Sequence, residues 1–262
     1  MSRIGFIGTG RITQAVVTGM MATTSPPARV LLSPRNAEVA AALAGQFEAV
    51  RIAADNQAVI DGSDTVFLAI RPQVTEEVLA PLRFRADQTV VSLVAIFPLA
   101  EVAKAVAPAS EVCRCLPLPT AARREGPIVL YPAIAPAVRV LQGVGELVEA
   151  RSEHELETLW VPTALIAPFF EHYAAVARWC EARGVPTDRA DRYTRAMFHG
   201  LAGLAMAERL TSLAALRDEA QTPGGLNEQV LRELTAAGSF TAIEQAMDRI
   251  AERLAAAHRA RA

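Results

Sequence analysis

The chain opens on a short apolar run, Arg3 to Ile7, that meets Gly8-Thr9-Gly10, and beyond the glycines Ile12, Ala15, Val16, Gly19 and Met20 recur at helical spacing. That order predicts a strand, a glycine turn and a helix. The unit repeats with a strand at Arg29 to Ser33 and a helix from Ala37 to Leu43, and a weaker strand follows at Val50 to Ile52. Thr65 to Ile70 is apolar almost throughout, as a strand covered on both faces must be. Pro72 starts the next helix, Val90 to Ile96 is a further strand, Pro98 to Val106 a helix, and Val112 to Leu116 and Val144 to Val148 continue the alternation. Strands that alternate with helices in this way predict the α/β class, with a parallel, doubly wound sheet.

Near Glu153 the pattern changes, and the rest of the chain reads as helix. Apolar residues keep a three-to-four spacing from Phe169 to Cys180, Tyr193 to Leu210 and Phe240 to Ala255, interrupted by Gly184-Val185-Pro186 and Thr222-Pro223-Gly224-Gly225. Two domains are expected, a sheet domain over residues 1–153 and an all-helical domain over 154–262. Met197 to Met206 is apolar on more than one face, so that helix must bury itself in a bundle or against a second subunit.

Composition narrows the function classes. With 262 residues, 52% apolar and 21% charged, the chain can fill two cores. Lys and Arg total 26 against 28 Asp and Glu, and the formal charge of -2 offers no field for a nucleic-acid partner. The longest apolar stretch, Leu159 to Phe170, is too short to span a bilayer, and Met1-Ser2-Arg3 runs straight into a strand pattern. A cytoplasmic protein without a membrane partner is expected. Cys113, Cys115 and Cys180 lack metal-ligand spacing and read as buried thiols, so no metal site is assigned.

The glycine turn carries the first chemical signal. A dinucleotide fold needs small residues after its first strand, so that the backbone can approach the pyrophosphate and a helix amino terminus can face it. Gly8, Thr9, Gly10, Arg11 and Ile12 stand in that place, with Thr13 where a third glycine is usual. This is the context of a Rossmann domain. At the end of the second strand an NAD enzyme usually places a carboxylate for the ribose 2′-hydroxyl. Here the stretch is Ser33-Pro34-Arg35-Asn36, in which Arg35 can pair with a 2′-phosphate while Ser33 and Asn36 donate to its oxygens. NADPH (NADP+) is therefore the expected cofactor.

Leu216-Arg217-Asp218-Glu219-Ala220-Gln221-Thr222-Pro223-Gly224-Gly225 resembles the L-R-D-x-x-x-S-P-G-G signature of the pyrroline-5-carboxylate reductase family. Gly5 to Gly10, Phe67-Leu68-Ala69-Ile70-Arg71-Pro72-Gln73 and Gly238-Ser239-Phe240 are similar to further landmarks of that family at matching spacing. The resemblance implies NAD(P)H-dependent reduction of a cyclic imine to proline, with Ala69, Arg71 and Pro72 at the nicotinamide end of the fourth strand. It also implies that the Thr222 to Asn227 turn, with Gly224 and Gly225, reaches the reacting ring. A homodimer or higher homo-oligomer follows, with interleaved helical domains and a small-molecule imine or carbonyl as substrate.

Two stretches depart from the family. Where it has M-P-N-T-P this chain has Leu116-Pro117-Leu118-Pro119-Thr120, and where it has S-G-S-G-P-A the chain has Thr163-Ala164-Leu165-Ile166-Ala167-Pro168. Leu118 and Ile166 thus stand at substrate positions that the family makes polar, and Asn227 stands for the threonine that faces the imine nitrogen. A carboxylate desolvated without donors is poorly held. The substitutions predict weak turnover of pyrroline-5-carboxylate and leave two alternatives: a less polar imine or carbonyl as substrate, or a non-catalytic NADP(H)-binding regulator. An iminium arrives protonated, so Asn227 or Thr222 suffices to orient it, whereas a ketone needs a proton donor, for which Tyr173, His172 and His199 are the candidates, with Glu171 an anchor for an amine.

Overall fold

The structure is a computed structural model that describes residues 2–259. The chain begins β1 (Arg3–Ile7), α1 (Arg11–Met21), β2 (Arg29–Leu32), α2 (Ala37–Gln46), β3 (Val50–Ile52), α3 (Asn56–Asp61), β4 (Thr65–Leu68) and α4 (Thr75–Leu79). It continues β5 (Thr89–Ser92), α5 (Leu99–Ala105), β6 (Glu111–Pro117), β7 (Pro127–Tyr131), α6 (Ala135–Leu141) and β8 (Glu146–Glu149). These strands form an eight-stranded sheet in the order β3-β2-β1-β4-β5-β6-β7-β8. The chain works outward from β1 in one direction to β3 and then crosses back to β4, so the switch of direction lies between β1 and β4, where Ile4 pairs with Val30 on one side and Thr65 on the other.

Alternation along the strands builds two cores. Phe67, Val91, Cys113 and Cys115 point to one face, with Val16, Met20 and Leu43. Val66, Leu68, Val90 and Val112 point to the other, with Ile7 and Val102. Phe6 stacks on Phe67 at 4.7 Å between ring centres. Burial disfavours the thiolates, pushing Cys113 up to about 12 and Cys115 upward as well.

One strand escaped the sequence pattern. Pro127 to Tyr131 forms β7, antiparallel to β6 with Arg114 opposite Tyr131, and β8 then pairs parallel to β7. The link from β6 to β7 is a 3-10 turn, Pro119–Arg123, and a few further residues. That is too short for the crossover a parallel neighbour needs, so the strand has to reverse.

The described residues divide into two compact units, one running to Trp160 and including the residues from Leu254 onward, the other Val161–Arg253. Periodicity alone put the boundary at Glu153, yet helix α7 (Glu153–Trp160) belongs with the sheet. The reason is Arg114. Its side chain is fully buried, and Nη1 donates to Glu153 Oε1 at 2.5 Å and to Glu157 Oε1 at 2.7 Å. Glu153 Oε1 also accepts from the Leu99 N–H at 2.7 Å, tying α7 to the start of α5.

The second unit contains α8 (Ile166–Glu181), α9 (Thr187–Ala207), α10 (Leu213–Glu219) and α11 (Leu226–Ala236); α12 (Ser239–Arg259) starts in it and ends in the first. Among the described residues these helices bury Ala177, Ala190 and Thr194 and no large apolar side chain. Phe170, Leu201, Met206, Leu213 and Leu226 remain exposed. Among the described residues no helix is long and apolar enough to cross a membrane.

Candidate functional site

In an open α/β sheet ligands bind beyond the carboxyl ends of the strands, beside the point where strand order reverses. Here that point is the loop after β1 together with the loop after β4. Gly8 is its hub. Its φ of 98° suits glycine, and a Cβ built on it would lie 2.3 Å from the Ala69 carbonyl oxygen. Both polar groups of its backbone are held by side chains: the N–H donates to Ser33 Oγ at 2.9 Å, and the carbonyl accepts from Thr13 Oγ1 at 2.6 Å. Thr9 Oγ1 completes the arrangement by donating to the Ser33 carbonyl at 2.8 Å and lying 3.2 Å from Ser33 Oγ.

Two readings change as a result. Ser33 is buried and spends its hydroxyl on the turn, so it supports the cradle from below and does not donate to a 2′-phosphate. Thr13, which the glycine pattern treats as a departure, is fully buried and pins the Gly8 carbonyl. Only the fold brings its hydroxyl back to the turn. A serine or threonine in the first turn after a GxG pair is the signal that could have found it.

The cradle itself is open. Among the described residues, chain neighbours apart, no atom lies within 4 Å of a Cβ built on Gly10, so the space over that residue is open to a ligand. Gly10 caps α1 without a side-chain hydrogen bond, which leaves the amino terminus of the helix to be capped by something else. Arg11 is exposed and Ile12 packs against the core. Arg35 is exposed, with no charged partner among the described residues. Asn36 caps α2, its side chain accepting from the Val39 N–H at 3.5 Å, and its amide N–H groups have no hydrogen bond among the described residues. These residues fit an anionic dinucleotide: a backbone anion cradle, then a free guanidinium at the end of the next strand.

Ala69 is held at the end of β4 by its N–H to Ile7 carbonyl bond of 2.8 Å, and Arg71 and Pro72 begin the 3-10 turn that precedes α4. Leu118, after β6, is half-buried. A separate cavity of about 730 Å3, lined by Ile4, Met20, Asp64, Thr89, Arg124 and Arg139, lies at the amino ends of the strands and therefore away from this edge.

In the helical unit Thr222-Pro223-Gly224-Gly225 is a reverse turn. Gly225 N–H donates to the Thr222 carbonyl at 2.8 Å, Pro223 sits at the second position and Gly224 takes the positive φ of 72° that the third requires. Glu228, unnoticed in the sequence, accepts from the Gly224 N–H at 2.6 Å. Asn227 Nδ2 donates to the Ala220 carbonyl at 2.8 Å, so one of its two amide N–H groups closes the turn, and Oδ1 has no hydrogen bond among the described residues. Tyr173 stacks on Phe198 at 4.3 Å and leans on Phe169 at 4.5 Å, and His172 meets the edge of Phe198 at 5.4 Å. No hydrogen bond among the described residues joins Tyr173 to Thr222 or Asn227, and Ile166 is exposed at the start of α8.

Residues 3–96 match the family described as NADP oxidoreductase, coenzyme F420-dependent, and residues 161–257 match the pyrroline-5-carboxylate reductase dimerisation family. The pyrroline-5-carboxylate reductase of Pseudomonas aeruginosa is 28% identical over 264 residues, spanning 97% of this chain and 96% of its own. A pyrroline-5-carboxylate reductase of Coxiella burnetii has a similar structure, with a TM-score of 0.83 at 23% identity over 98% of each chain. The Plasmodium falciparum enzyme, solved with NADP bound, has a TM-score of 0.81 at 13% identity over 98% of each chain. Sheet and helical units are matched in the same order along one chain, and over nearly its whole length the chain is similar to pyrroline-5-carboxylate reductases.

Proposed function

We propose that the protein reduces pyrroline-5-carboxylate to proline with NADPH. The observation that carries this is the open, uncapped glycine cradle at the head of a chain whose relatives are pyrroline-5-carboxylate reductases from end to end. A less polar substrate, or a regulator without turnover, is not favoured by curated relatives from several bacteria that bear the name pyrroline-5-carboxylate reductase. When bound, the cofactor supplies the hydride, and the chain has to bind, orient and hold. Gly8, Thr9, Gly10, Arg11 and Ile12 receive the pyrophosphate, Arg35 pairs with the 2′-phosphate with Asn36 donating beside it, and Ala69, Arg71 and Pro72 flank the nicotinamide.

The α10–α11 turn is assigned to the imine. One N–H of Asn227 Nδ2 holds the Ala220 carbonyl, and Oδ1 is offered as the acceptor that a protonated imine nitrogen needs. Thr222 lies beside it with an exposed hydroxyl. With Leu118 and Ile166 apolar, the substrate carboxylate is received by main-chain N–H groups at the start of α11, where Gly225 provides no side-chain cap. Tyr173, boxed in by Phe169 and Phe198, is a supporting wall with a phenol in reserve as proton donor. The protein works in the cytoplasm, where NADPH is kept reduced.

The test is steady-state turnover of pyrroline-5-carboxylate with NADPH and with NADH. NADPH should be preferred by about tenfold or more, and Arg35→Asp should narrow or reverse that preference. A protein that binds NADPH and oxidises none of it with this imine would refute the proposal, and equal dissociation constants for the two cofactors would remove Arg35 from its role.

The helical unit matches a dimerisation family, and the assembly is inferred to be a homodimer. Leu201, Met206, Leu213 and Leu226 form the kind of exposed apolar surface that a second copy covers. Light scattering at micromolar concentration should report a dimer, and a monomer there would contradict it.

A further inference from the structure

The cavity at the amino ends of the strands takes no part in the cofactor cradle. It has a volume of about 730 Å3 and lies at the opposite edge of the same sheet. Strand pairing sets out its floor. Ile4 on β1 stands opposite Thr65 on β4, and Thr65 opposite Thr89 on β5, so the three side chains form a row on one face of the sheet. Met20, near the end of α1, and Val140, in α6, supply apolar walls.

The fold leaves two sets of polar groups here unused. Thr65 and Thr89 are only 4% and 5% exposed, yet among the described residues neither hydroxyl makes a hydrogen bond, even to the threonine beside it. A hydroxyl buried to that degree needs a partner, and a ligand in the cavity that both residues line can provide one. The charges are unbalanced as well. Asp64 and Asp87 line the cavity, but each has its own arginine: Arg3 Nε donates to Asp64 at 3.1 Å, and Arg85 lies 3.2 Å from Asp87. Arg124, just after the 3-10 turn, and Arg139, in the last turn of α6, line it too and have no carboxylate partner among the described residues. The uncompensated charge of the lining is therefore positive.

We propose that this cavity is a second ligand site, for a small organic dianion: a short dicarboxylate or a phosphate monoester. Arg124 and Arg139 pair with its charged groups, the Thr65 and Thr89 hydroxyls donate to it, and Ile4, Met20 and Val140 receive its hydrocarbon part. The ligand and NADPH bind together, because they occupy opposite edges of the sheet.

Isothermal titration calorimetry of the full chain with succinate and with glycerol 3-phosphate distinguishes the two ligand classes, and sulfate serves as a dianion without a hydrocarbon part. At least one of the organic dianions should bind with a Kd below about 1 mM, and at least about fivefold more tightly than sulfate. Arg124→Gln and Arg139→Gln should each weaken it about tenfold; both side chains are exposed, so these variants keep the fold. Replacing Thr65 and Thr89 together by Val preserves shape, removes the hydroxyls and should weaken binding by about fivefold or more. Saturating NADPH should leave the Kd within about twofold of its value without cofactor. The titration needs no turnover, so its outcome is separate from that of the reductase assay. Failure of both organic dianions to bind below about 1 mM, sulfate binding as tightly as they do, or arginine variants within about twofold of the parent would each overturn the proposal. Displacement by NADPH would overturn it as well, since the dianion would then occupy the cofactor cradle. If the double threonine variant does not fold, the arginine variants decide.

Discussion

Gly8→Ala should lower the affinity for NADPH by about a hundredfold or more, equivalent to roughly 2.7 kcal/mol of binding free energy. The cause is geometric. At a φ of 98° the new methyl would lie 2.3 Å from the Ala69 carbonyl oxygen, which is main chain and cannot swing aside. The loop after β1 would have to part from the loop after β4, and Gly8 would lose its bonds to Ser33 Oγ and Thr13 Oγ1 in doing so. Gly10→Ala makes the matched control. Its methyl meets nothing within 4 Å, so the fold should keep its melting temperature while the space for the pyrophosphate is reduced. Fluorescence titration with NADPH measures both. A Gly8→Ala affinity within about threefold of the parent would mean that the cradle is not where the cofactor binds.

Arg114→Met should destabilise the sheet unit by roughly 2–3 kcal/mol, the cost of leaving two half-buried carboxylates without their cation and its hydrogen bonds. Arg114 is fully buried, and its Nη1 bonds to Glu153 and Glu157 join β6 to α7. His258 Nε2, near the end of α12, lies 3.4 Å from Glu157 Oε1, which brings the last turn of that helix up to the same cluster. Nε and Nη2 of Arg114 have no hydrogen-bond partner among the described residues, which makes the cluster costly to bury even when intact. Replacing Glu153 and Glu157 by Gln in the Arg114→Met background should therefore restore part of the loss, because the uncompensated charges go with them. Chemical denaturation followed by far-UV circular dichroism reports the difference, and a loss below about 1 kcal/mol for Arg114→Met would show that the pair is not a structural fastening.

A good share of the protein was legible in one dimension. Periodicity at two and at three to four residues marks β1, α1, β4, β6 and the change to helices near Glu153, because burial of a face repeats at the period of the backbone. Short-range chemistry was legible as well. A glycine that must take positive φ and a Pro-Gly reverse turn are local demands, and Gly8 and Gly224 satisfy them where the pattern says they should. The missing carboxylate after β2 is also a local fact, and it points to Arg35.

Contacts between distant residues were decided only by the tertiary structure. The reversal of β7 depends on which strand edge is free and how short the link is, neither of which alternation records. Arg114 reads as a polar interruption of an apolar strand, and its partners stand 39 and 43 residues further along, so no window contains the ion pair that moves the domain boundary to Trp160. Ser33 and Thr13 were visible as hydroxyls near a glycine turn, but whether a hydroxyl faces a ligand or the backbone depends on where the chain returns in space. Here it returns beneath Gly8, and both are consumed by the turn. Ile96 is the extreme case: in sequence it ends an apolar run, and only the backbone angle shows that it sits in a bend a glycine would occupy more easily. Composition and period set which residues are inside; closure of the fold sets which atoms meet, and the site is made of meetings.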